Sequence, residues 1–302
     1  MKPLPVSSDP IAAAYAECEA FARAHHENFP VVSRFLPKAR RHHLWAIYAF
    51  ARTADDFADE ASFAGRRLEL LDDWERRLDG ALAGGPDGPI FVALADTVRR
   101  CDLPVEPLRR LLEAFRLDVR KARHADWESL EHYCARSADP VGRLVLGVFG
   151  YRDPELLALS DAICTGLQLA NFWQDVAVDL KKDRIYLPED ALARHGVSEQ
   201  MLAAGDAGPA FQALLAEVIE RTRARFDAGR SLPDRVGSDL AFHLRLVWLG
   251  GVTILDRIES VGHDVFHRRP TLSRRDRLAI VGRALARPLP PAARPHRAGS
   301  QR

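Results

Sequence analysis

The first residues that suggest chemistry are four carboxylates at the end of an apolar helical segment. The segment HLWAIYAFA runs directly into RTADDFADE at residues 52–60. An α-helix turns by about 100° per residue, so positions 0, 4, 7 and 11 lie within an arc of about 60°. The side chains with this spacing are Tyr48, Arg52, Asp55 and Asp59. Asp56 and Glu60 lie roughly 80° or more from this stripe, which indicates a supporting or surface position.

A second polar stripe follows roughly 120 residues later in another apolar helical segment. Its members, at positions 0, 3, 7 and 11, are Gln168, Asn171, Asp175 and Asp179. Large apolar residues such as Phe50 and Trp173 surround both stripes in the sequence. We therefore expect the two polar faces to line an interior cavity.

Carboxylates enclosed in a cavity need protonation, a basic partner or a metal ion, because an unpaired buried charge is costly. Arg52 offsets only part of the charge, and no His or Cys lies on either stripe. A cluster of oxygen ligands favours Mg²⁺, which completes its shell with substrate phosphate oxygens. The expected substrate is a diphosphate with a long hydrocarbon, to suit the apolar lining. For one acidic run alone, a solvated helix end with Arg salt bridges is the simpler interpretation, but two matching stripes favour a paired site.

Composition limits the remaining function classes. The 302 residues contain 43 basic and 42 acidic side chains. These charges nearly cancel, so the molecule as a whole has no electrostatic attraction to nucleic acid. The four cysteines are widely spaced, without the pairing typical of a zinc site or a disulfide framework. No GxGxxG fingerprint of a dinucleotide site is present. A globular enzyme-sized protein is the expectation, and the sequence does not indicate its oligomeric state.

Apolar residues recur at spacings of three and four through nearly every long segment, which predicts an all-α fold. Proline and glycine positions delimit the segments. The predicted helices are 10–26, one from Pro37 through the first acidic stripe, 65–83, 89–101, 105–123, 127–138, 154–180, a short one after Pro188, 198–230 and 235–261. We expect one domain over residues 1–286 and a basic, proline-rich, disordered tail over residues 287–302.

The N-terminus MKPLPVSSDP has no apolar stretch typical of a signal peptide, and no uninterrupted apolar run approaches the roughly 20 residues of a membrane span. A cytoplasmic location follows. From Arg268 onward ten arginines accompany a single acid, Asp276. This basic end suits either peripheral contact with anionic lipids at the inner membrane surface or a solubilising tail.

The acidic segments, in the forms YAFARTADDFADE and LQLANFWQDVAVDLKKDRIYLP, resemble the squalene and phytoene synthase family of head-to-head prenyl synthases. The likeness covers about residues 10–285. The segments ENFPVVSRFLP, SADPVGRLVLGVFG and NFWQD are most similar to the bacterial hydroxysqualene synthases of hopanoid biosynthesis. The resemblance implies a single all-α isoprenoid synthase domain whose helices surround a deep central cavity.

The resemblance also assigns roles to individual residues. It implies that Mg²⁺ is held against the diphosphate by Asp55, Asp59, Asn171, Asp175 and Asp179. Tyr48 and Arg52 match catalytic positions of the same site. The residues that match substrate-binding positions are His26, Asn28, Arg52, Gln168, Asn171, Gln174, Arg184, Tyr186 and His263.

Several of these positions depart from the family pattern. His26 and Asn28 stand where dehydrosqualene synthases carry serines. Gln174 stands where many relatives have Arg, which removes one positive contact to diphosphate. This change suits an enzyme that receives an already condensed substrate. His263 matches a position that is often aromatic, and a structural role is the simpler interpretation for a lone His.

The reaction implied by the resemblance is conversion of presqualene diphosphate to hydroxysqualene, catalysed by a carbon–oxygen lyase that uses no reductant. Loss of diphosphate leaves a carbocation in the apolar cavity, where water captures it. One alternative is a sister synthase that condenses prenyl diphosphates to presqualene diphosphate, squalene, phytoene or dehydrosqualene. Another is a non-catalytic assembly factor of the same fold, although such a protein is expected to lose stripe carboxylates. A metal-dependent hydrolase usually includes His ligands, and neither stripe has one.

Overall fold

The computed structural model describes residues 9–25, 35–120, 123–286 and 288–292. Throughout this part of the chain the regular secondary structure is helical, and two single-turn 3₁₀ segments accompany the α-helices. The α-helices are α1 Pro10–Ala24, α2 Lys38–Asp59, α3 Arg67–Leu82, α4 Pro89–Cys101, α5 Glu106–Arg120, α6 Trp127–Ser137, α7 Asp139–Val148, α8 Pro154–Gln174, α9 Val176–Leu180, α10 Glu189–His195, α11 Glu199–Ala203, α12 Pro209–Gly229, α13 Ser238–Ser260 and α14 Arg274–Ala284. The predicted all-α class is confirmed.

The chain forms two compact units. The first contains Met1–Ala122 and His132–Leu157, and the second contains Arg123–Glu131 and Ala158–Arg302. The first acidic stripe, on α2, therefore belongs to the first unit, whereas the second stripe, on α8 and α9, belongs to the second.

Small residues bring α1, α2 and α4 close together in the first unit. The buried cluster they form consists of Ala14, Cys18, Ala46, Ala49 and Ala93. Trp45 and Phe21 pack against its edge. Since alanine and cysteine occupy little volume, the helix axes approach closely, and larger side chains fill only the border.

A buried polar junction joins the same three helices. The Tyr15 hydroxyl of α1 donates to Asp96 Oδ2 of α4 at 3.0 Å and lies 2.9 Å from Thr97 Oγ1. His43 Nδ1 of α2 lies 3.0 Å from the same hydroxyl and 2.9 Å from Thr97 Oγ1. Burial and the adjacent His42 lower the pKa of His43 to about 4, so its ring is neutral at pH 7 and can accept a hydrogen bond.

Aromatic side chains fix α8, α12 and α13 in the second unit. The fully buried Trp173 indole of α8 donates to Thr222 Oγ1 of α12 at 2.8 Å. The Trp248 indole of α13 donates to the Phe226 carbonyl of α12 at 2.8 Å. Each large apolar ring thus has its one polar atom satisfied, as a buried indole requires.

The C-terminal end of the described chain is anchored to this unit. Ser273 and Asp276 form a capping box at the start of α14, and Asp276 also binds Arg257 of α13. Beyond the helix, the Ala292 backbone donates to Asp227 Oδ1 at 2.7 Å. Leu289 and Ala292 are buried, whereas residue 287 and residues 293–302 lie outside the described part, so the disordered tail stays a prediction.

Several predicted helix boundaries are wrong. The helix predicted over 154–180 ends at Gln174, and Asp175 separates it from α9. The helix predicted over 198–230 is two helices, because Gly205 and Gly208 interrupt it before Pro209. Neither α7 nor α14 was predicted. Pro140 lies in the first turn of α7, where proline is tolerated.

Within the described part of the chain, one helix is long and apolar enough to span a membrane by length and composition. It is α13, and 61% of the relevant window is buried inside the protein. A mostly buried core helix has the same composition as a span, so this is weak evidence for one. The cytoplasmic location stays a prediction.

Candidate active site

The first acidic stripe lies on the C-terminal half of α2 and is half-buried. Asp55 and Asp59 are one helical turn apart, so their carboxylates repel each other. Arg52 lies nearer to Asp56, at 2.7 Å, than to Asp55, at 3.4 Å. The Arg52 guanidinium is therefore closer to the carboxylate outside the stripe than to Asp55.

Burial raises the pKa of Asp55 to about 7, and repulsion from Asp59 adds to the shift. The Asp55 side chain nevertheless keeps 36% of its surface exposed. Protein thus surrounds the carboxyl group while one side stays open. This combination is typical of a group at the opening of a concave site, where an incoming cation can reach it.

Asp118 of α5 is a third carboxylate at this site that the sequence analysis missed. Its charge also raises the pKa of Asp55, and α5 packs against α2. A signal was present in the sequence: Asp118 follows Leu111 and Phe115 at spacings of seven and three, on the buried stripe of α5. An acid that continues an apolar stripe is a candidate functional residue.

The second acidic stripe is bent where it reaches Asp175. Gln168 and Asn171 lie half-buried on α8, and Asp175 is the N-cap of α9, with φ −108° and ψ 14°. Backbone hydrogen bonds of 2.9 Å from Asp175 N to Asn171 O and from Asp179 N to Asp175 O keep the turn closely helical. The predicted face is therefore retained approximately, although one continuous helix does not carry it.

Asp175 is ion-paired to a residue that the sequence analysis did not predict. Arg269 Nε lies 2.6 Å from Asp175 Oδ1, and its terminal nitrogen lies 3.1 Å from Oδ2. This is a bidentate pair, the strongest arrangement of guanidinium and carboxylate. The pair joins the start of α9 to the segment after α13, a contact between residues 94 apart that spacing along a helix cannot reveal.

The adjacent Gln174 is buried and also contacts this segment. Its Nε2 donates to the Pro270 carbonyl at 2.5 Å, while Oε1 has no hydrogen-bond partner among the described residues. The position that carries Arg in many relatives thus holds a neutral amide whose donor group is already engaged. Substrate binding by Gln174 stays a prediction.

The loop after α9 folds back onto α8 through stacked aromatic rings. The Tyr186 ring lies 3.7 Å from the Phe172 ring, centroid to centroid, at an interplanar angle of 7°, and His124 stacks on it at 5.8 Å. Arg184 and Asp179 lie beside this stack on the wall of a recess. Three predicted site residues, Asp179, Arg184 and Tyr186, are therefore close together in the second unit.

Arg123 fixes the same loop from outside. Its guanidinium donates to the Asp183 carbonyl at 2.7 Å, to Asp183 Oδ1 at 2.9 Å and to Glu199 Oε1 at 2.8 Å. These hydrogen bonds raise the pKa of Arg123 above its ordinary value. Asp183 has a left-handed backbone, with φ 56°, so the bonds also hold a turn that an Asp residue adopts at some cost.

Replacing Arg123 with Ala is expected to destabilise the protein by about 1 to 2 kcal/mol, because two carboxylates and a carbonyl lose a charged donor. The loop that carries Arg184 and Tyr186 is also expected to loosen, which lowers kcat/KM. Thermal melts and steady-state kinetics measure both effects. The control is Arg66→Ala, which breaks an exposed pair with Glu69 and is expected to cost less than about 0.5 kcal/mol. Equal melting temperatures for the two variants would contradict this role of Arg123.

The remaining predicted residues are placed as follows. Tyr48 is half-buried on α2, two turns before Asp55. His263 lies in the turn after α13 with a left-handed φ of 64°, and burial lowers its pKa. Its Nε2 has no hydrogen-bond partner among the described residues. His26 and Asn28 lie outside the described part of the chain.

The carboxylates suit Mg²⁺ that is bound partly by water and substrate better than they suit a metal ion whose ligands all come from the protein. No group of three or more His, Cys, Asp or Glu side chains in the described ranges is arranged to hold an ion. Mg²⁺ typically takes one or two carboxylates and completes its shell with water and phosphate oxygens. Asp55 and Asp59, one helical turn apart on α2, offer carboxylate oxygens only, which meets this requirement. That the two stripes share a cavity stays a prediction.

Comparison with known proteins agrees with these features. The squalene/phytoene synthase family matches residues 22–276. The 15-cis-phytoene synthase of Synechococcus elongatus is 31% identical over 268 residues, which cover 85% of this chain and 87% of the relative. The 15-cis-phytoene synthase of Synechocystis sp. is 32% identical over 283 residues, covering 89% and 84%.

Among solved structures, the squalene synthase HpnC from Alicyclobacillus acidocaldarius is 44% identical with a TM-score of 0.80, over 84% of this chain and 95% of that one. A dehydrosqualene synthase in complex with a ligand is 22% identical with a TM-score of 0.83, over 92% and 98%. The second likeness concerns the fold alone.

Proposed function

The chain belongs to the squalene/phytoene synthase family, and we propose that within this family it converts presqualene diphosphate to hydroxysqualene with release of diphosphate. The family acts on prenyl diphosphates. The observation that carries the finer proposal is the buried Gln174, a neutral amide bound to the Pro270 carbonyl. A condensing synthase must neutralise two diphosphate groups. The absence of a positive charge at position 174 suits a substrate that carries a single diphosphate group.

The likeness to HpnC supports the same assignment, because 44% identity over 84% of the chain exceeds the 31–32% found with the two cyanobacterial phytoene synthases. The proposed place of the reaction is the hopanoid branch of isoprenoid synthesis. Non-catalytic use of the fold is disfavoured, since all four stripe aspartates are present.

In this proposal Asp55, Asp59, Asn171, Asp175 and Asp179 would hold Mg²⁺, with Asp175 also oriented by its pair with Arg269. When bound, the ion neutralises the developing charge of the leaving diphosphate. Asp55 and Asp59 place two mutually repelling carboxylates one turn apart, an arrangement that a divalent cation relieves. Arg184, on the recess wall beside Asp179, supplies a fixed positive charge for a diphosphate oxygen.

The stacked rings of Phe172 and Tyr186 provide an apolar wall beside these charged groups. Aromatic faces attract a carbocation without removing a proton, whereas a strong base would divert it to an alkene. In this proposal one water molecule captures the cation and then loses a proton, which gives the hydroxyl group of the product. The pair of rings is rigid because the Arg123 contacts hold their loop.

The second candidate is a condensing synthase, and the curated relatives, both 15-cis-phytoene synthases, are the observation that favours it. Purified protein with Mg²⁺ is to be incubated with presqualene diphosphate, with and without NADPH, and separately with farnesyl and longer prenyl diphosphates. Mass spectrometry then identifies the products. We expect hydroxysqualene in both presqualene reactions and no product from the unfused substrates.

Each other result selects another function. Squalene that appears only with NADPH would assign a reductive synthase. Turnover of the unfused diphosphates would assign a condensing enzyme. Absence of any turnover by a folded protein, checked by its thermal melt, would favour an assembly factor. Asp55→Asn serves as the inactive control in every reaction.

A further inference from the structure

The outward face of α14 is unusually apolar for a protein surface. In the described part of the chain five large hydrophobic side chains are exposed, and three of them lie on α14 or at its C-cap. Leu278 is 74% exposed, Val281 38% and Leu285 73%. Isolated apolar residues are common on surfaces, but three neighbours on one short helix form a patch.

The spacing of these residues places them in one stripe. Positions 278, 281 and 285 lie within an arc of about 60° on a helix. Ile280 and Ala284, roughly 110° from this stripe around the helix, are buried, and α14 packs against α13. The helix therefore has two apolar faces. Packing within the protein buries only one of them.

Exposed arginines surround the stripe. Arg274 lies one turn before Leu278 in line with it, and Arg275 and Arg277 lie roughly 70–90° to either side. The one acid of the helix, Asp276, is buried and bound to Arg257. The outward face thus combines leucine and valine with guanidinium groups and carries no exposed carboxylate.

This face is held in a fixed orientation. The capping box of Ser273 and Asp276 fixes the start of α14. After the helix, Leu289 and Ala292 are only 2% exposed, and Arg223 donates to the Ala292 carbonyl at 3.0 Å. A binding partner therefore meets a preformed surface and pays little entropy to order it.

We propose that the outward face of α14, defined by Leu278, Val281 and Leu285 with Arg274, Arg275 and Arg277, docks on the surface of a bilayer that contains anionic lipids. Helices that lie in the lipid interface combine one apolar stripe with basic flanks in this way. The apolar side chains enter the acyl boundary, and the guanidinium groups bind headgroup phosphates. The proposal rests on this surface alone and holds whichever prenyl diphosphate the enzyme uses.

A second copy of the chain is a poorer occupant. A symmetric dimer through this stripe brings the same arginines of both copies together, with no exposed acid on the helix to pair them. Like charges at close range disfavour that contact. An anionic bilayer is complementary to both features of the face, its charge and its apolar stripe.

The test is co-sedimentation of the full-length protein with vesicles of phosphatidylcholine alone or with 30% phosphatidylglycerol, on the order of the anionic content that binds basic helices. We expect binding to the anionic vesicles that weakens as salt rises. Leu278→Ser with Leu285→Ser is expected to lower the partition coefficient at least about tenfold. Arg274→Gln, Arg275→Gln and Arg277→Gln together are expected to lower it about 100-fold at low salt, at roughly fivefold per charge.

A matched control removes three arginines elsewhere, in Arg66→Gln, Arg76→Gln and Arg110→Gln, of which the first two are exposed and the third is half-exposed. This control is expected to bind like the unaltered protein. A further variant replaces Arg294, Arg297 and Arg302 of the tail with Gln. Binding that depends on the tail arginines and not on α14 would overturn the proposal. Two other results would also overturn it: equal sedimentation of all variants with the anionic vesicles, and no sedimentation of the unaltered protein. A dimer in analytical ultracentrifugation that Leu278→Ser dissociates would assign the face to a second copy instead. Circular dichroism confirms that each variant is folded.

Discussion

Replacing Asp55 with Asn is expected to lower kcat by at least about 10³-fold while it raises the thermal stability of the metal-free protein at pH 8. The loss of turnover follows because the variant lacks a charged group proposed to act on the leaving diphosphate through Mg²⁺. The gain in stability follows because the ionised Asp55 is partly desolvated and repelled by Asp59. If Asp55 had a purely structural role, its replacement would lower both activity and stability rather than change them in opposite directions.

The pH dependence of the stability difference has a definite sign. The pKa of Asp55 is raised from 3.8 to about 7 in the folded protein. The folded state therefore binds this proton more tightly than the unfolded state does, and the group lowers stability as pH rises through that interval. The variant is expected to match the unaltered protein below about pH 4, to exceed it increasingly up to about pH 7, and to keep the full difference above it.

Thermal melts in a chelator at pH 4 to 8 measure this effect. Addition of Mg²⁺ with inorganic pyrophosphate is expected to raise the melting temperature of the unaltered protein and leave that of Asp55→Asn unchanged. Asp56→Asn is the control, since it makes the same chemical change one residue along and loses an ion pair to Arg52. We expect this control to keep turnover within about tenfold and to gain no stability. A variant Asp55→Asn that melts lower than the unaltered protein at pH 8 would refute the interpretation.

Replacing Gly229 with Ala is expected to destabilise the second unit by about 2 to 3 kcal/mol. An added Cβ lies 2.6 Å from the Leu159 carbonyl oxygen and 2.5 Å from Ile163 Cγ1 of α8. Backbone cannot rotate away as a side chain can, so α12 and α8 must separate. For a protein of this size the melting temperature falls by roughly 4 to 12 °C.

The displacement also affects the reaction, because α8 carries Gln168 and Asn171. We expect kcat/KM to fall even at temperatures at which the variant remains folded. The control is Gly282→Ala in α14, where nothing lies within 4 Å of an added Cβ. There the change is expected to be neutral or to stabilise by up to about 1 kcal/mol through helix propensity. If Gly229→Ala and Gly282→Ala have the same melting temperature, the close approach of α12 to α8 is not required for stability.

Local signals predicted most of the helices correctly. The Asp9 and Pro10 pair does begin α1, with Asp9 as its N-cap, and α4 has the predicted bounds 89–101. Caps and apolar periodicity are properties of neighbouring residues, so sequence reasoning can read them directly. The two acidic stripes were found for the same reason, since each lies within one short stretch of chain.

The missed features depend on contacts between distant segments. Arg269 pairs with Asp175 across 94 residues, and Arg123 holds Asp183 across 60. No periodicity indicates such pairs. No helix was predicted after residue 261, although α14 lies within the predicted domain 1–286; burial of Ile280 and Ala284 and packing against α13 stabilise this arginine-rich helix. Tertiary packing here overrides composition.

The polar junction at Tyr15 has a consequence for the assembly of the first unit. Packing of small apolar residues alone would let α1 slide along its neighbours, since one alanine contact is much like the next. Moving α1 by a single residue, about 1.5 Å, would break the hydroxyl contacts to Asp96, Thr97 and His43 and leave buried polar atoms unsatisfied. The polar junction therefore allows only one register of α1 against α2 and α4. The packing of small residues in this cluster is specified by that register.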